Sequence, residues 1–147
     1  MTPSQWRDCL AINLDAAFFA AQSAAPILAG NGGGSIINFS SINAVLGPSN
    51  MPGYVSAKAG LIGMTKALAK DYGADMVRVN AISPGWVVTQ RQLATWLTQQ
   101  EEADWMKQVA LPKRLMPEDV ASLALFLAAD DSSMITGQNF TIDGGRT

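Results

Sequence analysis

Histidine is absent from the 147 residues, and cysteine occurs once, at Cys9. Without imidazole there is no histidine-based nucleophilic triad, no common zinc site and no imidazole general base, so acid–base chemistry falls to Tyr, Lys, Asp or Glu. One thiol makes neither a disulfide framework nor a cluster of soft metal ligands, and such sparing use of cysteine suits a reducing, cytoplasmic setting. Charge is sparse as well. Ten Lys and Arg against twelve Asp and Glu leave a net charge of -2, scattered rather than blocked. A nucleic-acid backbone demands a basic face, which this balance does not supply. The apolar segment Ala16-Ala17-Phe18-Phe19-Ala20-Ala21 follows Arg7, Asp8 and Asp15 instead of a basic leader. It falls short of the roughly 20 apolar residues of a bilayer span, so neither a signal peptide nor a membrane crossing is expected.

What is present is a chain 48% hydrophobic, enough for one moderate core and a single domain over residues 1–147. Thr2-Pro3-Ser4-Gln5 combines an N-cap, a proline at the first helical position and a capping-box glutamine, and it predicts a helix reaching Ala29. Gly30-Asn31-Gly32-Gly33-Gly34 breaks the chain, and Ser35 to Ser41 reads as a buried strand. A loop from Ile42 to Pro52 precedes a second helix, Tyr54 to Tyr72, which Gly73 is expected to close in the left-handed conformation. Val77 to Ser83 reads as a strand stopped by Pro84-Gly85. One or two short helices follow between Val87 and Val109. Pro117-Glu118-Asp119 then opens a firm helix, and Asn139 to Ile142 is the last strand. Alternating helices and strands predict an α/β fold: a parallel sheet with crossover helices, its three strands leaving an open edge.

Tyr54 and Lys58 stand four apart on the second helix, hence on one face about a turn apart. An ammonium beside a phenol favours the phenolate, so the oxygen can accept and return a proton. Ser41 lies thirteen residues before Tyr54, at the carboxyl end of the first strand, where open parallel sheets bind ligands. Asn13 sits between Ile12 and Leu14, an awkward place for an amide unless it is hydrogen-bonded to something useful; the plainer alternatives are a bond within its own helix or a side chain turned to solvent.

With these residues in hand the chain resembles the short-chain dehydrogenase/reductase family, specifically its carboxyl-terminal part. The matching blocks run in order: Trp6 with Ile12-Asn13-Leu14; Gly34-Ser35-Ile36-Ile37-Asn38 with Ser40-Ser41; Tyr54-Val55-Ser56-Ala57-Lys58-Ala59; Arg78-Val79-Asn80-Ala81-Ile82-Ser83-Pro84-Gly85 with Thr89; Pro117-Glu118-Asp119-Val120-Ala121; and Thr136-Gly137-Gln138 with Asp143-Gly144-Gly145. The resemblance implies a Rossmann-like sheet and NAD or NADP as cofactor. It implies that Tyr54 is the acid/base and also contacts the cofactor, that Lys58 supports it and binds the nicotinamide ribose, that Ser41 holds the reacting oxygen, and that Asn13 fixes a water in a proton relay. It also assigns Pro84, Gly85, Val87 and Thr89 to the nicotinamide, and Asn80 and Ser83 to structural roles.

A family member should also carry a G-x-x-x-G-x-G fingerprint after a first strand, with a helix N-terminus to take the pyrophosphate. The glycines at 30–34 precede a strand instead, so the chain reads as an incomplete domain without the amino-terminal nucleotide-binding strands, and as a weak or inactive catalyst by itself.

The loop from Pro84 to Gln92, with Leu93, Trp96 and Leu97, is similar to the substrate loop of bacterial sugar and polyol dehydrogenases. Trp86 either stacks on a pyranose face or packs the loop down, while Arg91 and Gln92 are placed to meet hydroxyls. Trp96 and Trp105 form a pair that either covers a pocket or packs a small helical lid. A carrier-linked 3-oxoacyl reductase is the alternative substrate class. A non-enzyme alternative uses the two long helices alone, as a dimerisation module; the family resemblance implies a homo-dimer or homo-tetramer in either case.

Overall fold

A computed structural model describes residues 1–95 and 98–147, without the side chains of Arg91 and Thr95. The first helix is α1, Pro3–Leu10, continuing through a π-helical segment, Ala11–Asp15, into α2, Ala16–Gly30. Thr2 caps it as its sequence requires: its Oγ1 accepts the Gln5 N–H at 3.3 Å and the Gln5 Oε1 accepts the Thr2 N–H at 2.8 Å. Pro3–Gly30 spans 28 residues and contains an 18-residue window with a mean hydropathy of 1.2. By length and composition it is therefore able to cross a bilayer, which corrects the expectation drawn from the shorter apolar segment. In this structure the helix packs against the second long helix and the sheet.

Strand β1, Gly34–Phe39, pairs in parallel with β2, Val77–Pro84, and β2 with β3, Asn139–Ile142. The strand order is β1-β2-β3, so β2 is central and Phe39 stands half-exposed on the β1 edge. β1 ends two residues earlier than expected. Beyond it the Ser40 N–H bonds Ile82 O and the Ile42 N–H bonds Pro84 O, so the chain is still tied to β2 as it turns.

A one-turn helix α3, Asn43–Leu46, interrupts the loop before α4, Pro52–Tyr72. Gly73 does not take the left-handed conformation: its φ is -63°, a short 3₁₀ turn follows over Gly73–Asp75, and Met76 carries the positive φ of 60°. The turn must bring Met76 beside the Gly33 backbone. A Cβ on Gly33 would lie 2.6 Å from Met76 O, so glycine is needed there rather than at 73.

Short helices α5, Gln90–Thr95, and α6, Gln99–Met106, follow β2, and α7, Pro117–Ala128, precedes β3. Alternate residues of the strands face opposite layers. Ile36 and Val79 pack with Ala21, Leu68 and Ala69 of α2 and α4. Ile37, Ile82, Phe140 and Ile142 pack with Val120 and Leu127 of α7. The carboxyl ends of all three parallel strands therefore open on one side, between the two helical layers.

Candidate active site

At that end of the sheet lies a cleft of about 640 Å³ lined by Ile42, Asn43, Met51, Tyr54, Gly85, Trp86, Thr89, Gln92 and Trp105. Tyr54 enters from the first turn of α4, half-buried. One turn on, the Lys58 ammonium lies 5.6 Å from the centre of the Tyr54 ring and donates to Phe39 O at 2.8 Å. Burial pulls the Lys58 ammonium below its ordinary pKa. Ser40 Oγ donates to the backbone carbonyl of Lys58 at 2.7 Å, which fastens α4 to the end of β1. Deeper in the same interface, Asn38 Nδ2 donates to Thr65 Oγ1 at 2.9 Å. These two ties hold the phenol and the ammonium at fixed depth over the sheet end. Of the two, the sequence pointed to Tyr54 and Lys58 but not to Ser40 or Phe39 as their anchors, since a carbonyl partner leaves no compositional trace.

Ser41 is buried on the turn leaving β1, its Oγ accepting the Asn43 N–H at 3.1 Å, next to the cleft residues Ile42 and Asn43. Asn13 does not line the cleft. It stands in the π-helical segment, where the Ala16 N–H reaches back to Ala11 O, and its amide donates to Cys9 O at 3.0 Å. Of the readings open for this amide, the bond within its own helix is the one present. The π segment itself packs against α4, and such bulges recur at functional sites.

The β2 loop is organised by close backbone contact. Pro84 ends the strand, and the Gly85 N–H bonds Ile142 O at 2.8 Å. A Cβ at Gly85 would sit 2.9 Å from Asp143 Cα, so no larger residue fits. Val87 bridges to Leu115 and joins the apolar cluster around Ile82. Thr89, at the head of α5, accepts the Gln92 N–H at 3.3 Å. Asn80 and Ser83 are buried and structural, as expected: Asn80 Nδ2 donates to Ile135 O, and Ser83 Oγ donates to Asn139 Oδ1.

Trp86 meets Trp105 of α6 edge to face, with ring centres 5.3 Å apart and planes at 84°. Trp105 thus pairs with Trp86; Trp96 and Leu97, and the Arg91 side chain, lie outside the described residues. Gln92 Oε1 is buried in the cleft wall without a hydrogen-bond partner among the described residues. Among the described residues no group of three His, Cys, Asp or Glu side chains is placed to hold a metal ion.

A phenol beside a half-buried ammonium, at the carboxyl end of a parallel sheet, is suited to passing a proton to or from a ligand oxygen. Tyr54, Gly85 and Thr89 line the cleft, with the Lys58 ammonium behind the Tyr54 ring on Phe39 O, an arrangement able to receive the nicotinamide half of a dinucleotide. No glycine fingerprint is present in this sequence to fit the diphosphate half.

The whole chain, residues 1–147, matches the family described as enoyl-(acyl carrier protein) reductase. It is 45% identical over 145 residues to a probable galactose dehydrogenase of Rhizobium meliloti (strain 1021), covering 99% of this chain and 57% of the relative. To the D-xylose 1-dehydrogenase of Caulobacter vibrioides (strain NA1000 / CB15N) it is 43% identical, covering 99% and 58%. The solved structure of 4-hydroxyisoleucine dehydrogenase complexed with NADH superposes with a TM-score of 0.88 at 29% identity, over 99% of this chain and 61% of that one. The chain therefore spans somewhat over half the length of the relatives it matches.

Proposed function

The chain belongs to the short-chain dehydrogenase/reductase family, and from that premise we propose that its cleft serves hydride transfer between a nicotinamide cofactor and a secondary alcohol or hemiacetal of a sugar-like substrate. The observation that carries this reading is the placement of Lys58 one turn from the cleft-lining Tyr54, its ammonium 5.6 Å from the centre of that ring and anchored on Phe39 O.

The bound nicotinamide would supply hydride acceptance or donation. This chain's residues do the rest. Tyr54 takes the proton from the substrate hydroxyl, or returns it to the carbonyl oxygen, at its phenolic oxygen. Lys58 holds positive charge beside that oxygen as its own charge changes, and it is the group placed to bond the ribose hydroxyls. Ser41 orients the reacting oxygen. Asn13, on the helix packed against α4, is assigned the water that connects Lys58 to solvent. Pro84, Gly85, Val87 and Thr89 form the nicotinamide wall.

A sugar-like substrate is favoured by the cleft's chemistry and by its relatives. Trp86 and Trp105 present aromatic surface for the apolar face of a ring, and Gln92 Oε1 is an unpaired acceptor for a hydroxyl. The relatives quoted above include a probable galactose and a xylose dehydrogenase. A carrier-linked acyl substrate is the second reading, supported by the description of the matching family. Exposed Ile12, Phe19 and Ile27 on the first helix support assembly as a homo-dimer or homo-tetramer, and the single cysteine suits a cytoplasmic setting.

By itself this chain is expected to be a weak catalyst at most, so the test is to incubate it at high concentration with NAD⁺ or NADP⁺ and D-galactose or D-xylose and follow slow growth in absorbance of the reduced nicotinamide. Growth that Tyr54→Phe abolishes is the expected result. A chain that neither turns over nor quenches reduced-nicotinamide fluorescence, yet dimerises cleanly, belongs instead to the helix-mediated module.

A further inference from the structure

We propose that Trp105 sets the width of the cleft, and that Arg146, which does not line it, is the positioning residue that holds Trp105 in place. The proposal rests on reading the cleft as the substrate site. Trp105 is carried by α6, which has no buried residue of its own. A two-turn helix with nothing in the core is not fixed by packing, so the ring's position must come from its neighbours. Two are present. Trp86 meets it edge to face, and the Arg146 guanidinium lies 5.5 Å from its ring centre, within cation–π range.

Arg146 is itself placed by a built turn. The Asp143 carboxylate is buried and accepts the N–H of Gly145, and both the N–H and the hydroxyl of Thr147, each at 2.9 Å. Gly144 and Gly145 take φ of 70° and 78°, which only glycine adopts freely. A Cβ on Gly145 would lie 2.7 Å from Ala110 Cβ, and the Leu111 N–H bonds Gly144 O at 2.8 Å. The turn is thus docked on the segment that leaves α6. Arg146 Nε is buried with no hydrogen-bond partner among the described residues, a cost that a merely solvated arginine would not carry. The same Asp143 backs onto Gly85, which precedes Trp86. One turn therefore buttresses both tryptophans, from behind the loop on one side and over the ring on the other.

Perpendicular indoles at this separation couple excitonically, so the pair has a circular-dichroism couplet that reports its geometry without substrate. In the purified chain, Trp105→Phe identifies the couplet by removing it. Arg146→Met is expected to collapse the couplet while helix content and a cooperative melt persist, and Arg146→Lys, which keeps the cation, to retain it. Arg146→Gln reads the same loss if Arg146→Met does not fold. Titrated with D-galactose and read by indole fluorescence, Arg146→Met should bind about fivefold more weakly, with Arg146→Lys near wild type. An unchanged couplet in Arg146→Met and Arg146→Gln, or a loss as large in Arg146→Lys, overturns the inference. A couplet that behaves as expected while galactose leaves every variant, and the wild type, unquenched keeps the clamp and sinks the sugar reading instead.

Discussion

The Lys58 ammonium donates to the Phe39 carbonyl oxygen at 2.8 Å, so the cation next to the Tyr54 ring is held by the last residue of β1. Helix α4 and the sheet end thereby share one charged hydrogen bond. Ser40, the next residue, returns a bond from its hydroxyl to the Lys58 carbonyl. The spacing of phenol and ammonium is a property of α4, but their height over the sheet is set by this reciprocal pair.

Tyr54→Phe removes the only phenol that lines the cleft among the described residues. Turnover of D-galactose or D-xylose is expected to fall by about 10²- to 10⁴-fold, the usual worth of a positioned acid/base. Cofactor binding, read by reduced-nicotinamide fluorescence, should change little.

Ser40→Ala deletes the buried hydroxyl whose bond to the Lys58 carbonyl ties α4 to the end of β1. Unfolding stability in urea should drop by about 1 to 2 kcal/mol. A change below the error of the measurement would mean that this hydrogen bond does not set the helix's depth.

Gly85→Ala puts a methyl 2.8 Å from Asp143 Cβ and 2.9 Å from its Cα, a contact with backbone that cannot swing away. The expected cost is about 1 to 3 kcal/mol, with the Trp86 loop displaced. Thermal melting with near-ultraviolet circular dichroism measures both effects.

Acid should release the carboxyl-terminal turn. Burial alone would raise the Asp143 carboxyl, but bonds from Thr147, Gly145 and the Arg146 N–H outweigh it and hold the group below the ordinary carboxylate range. A depressed folded-state pKa contributes stability that is fully present above the unfolded value, near 3.8, and is lost as pH falls through the folded value. The Trp86–Trp105 couplet should therefore persist at pH 5 and weaken only in stronger acid. In Asp143→Asn that last acid-dependent step should be missing.

The local signals in the sequence were strong where one short stretch decides its own conformation. The capping box at Thr2 and Gln5, the glycine break at 30–34, and the acids opening α7 all form as their residues require. So does the Tyr54–Lys58 register, because helical geometry alone brings residues four apart together. Signals that depend on a distant partner were not legible. Gly73 looked like a left-handed helix stop, yet Met76 takes that conformation, because the chain must meet Gly33 across the turn into β2.

What the sequence determined by itself was the order of helices and parallel strands, the apolar faces that bury them, and the identity of the groups able to move a proton. Tertiary structure alone decided which of those groups share a cleft. It set Lys58 on Phe39 O, kept the Asn13 amide within its own helix, and joined Trp86 to Trp105 under Arg146. The physical reason is range: capping and helical spacing act over a turn or two of chain, whereas carbonyl anchors and ring contacts between residues far apart in sequence exist only once the sheet has brought their elements together.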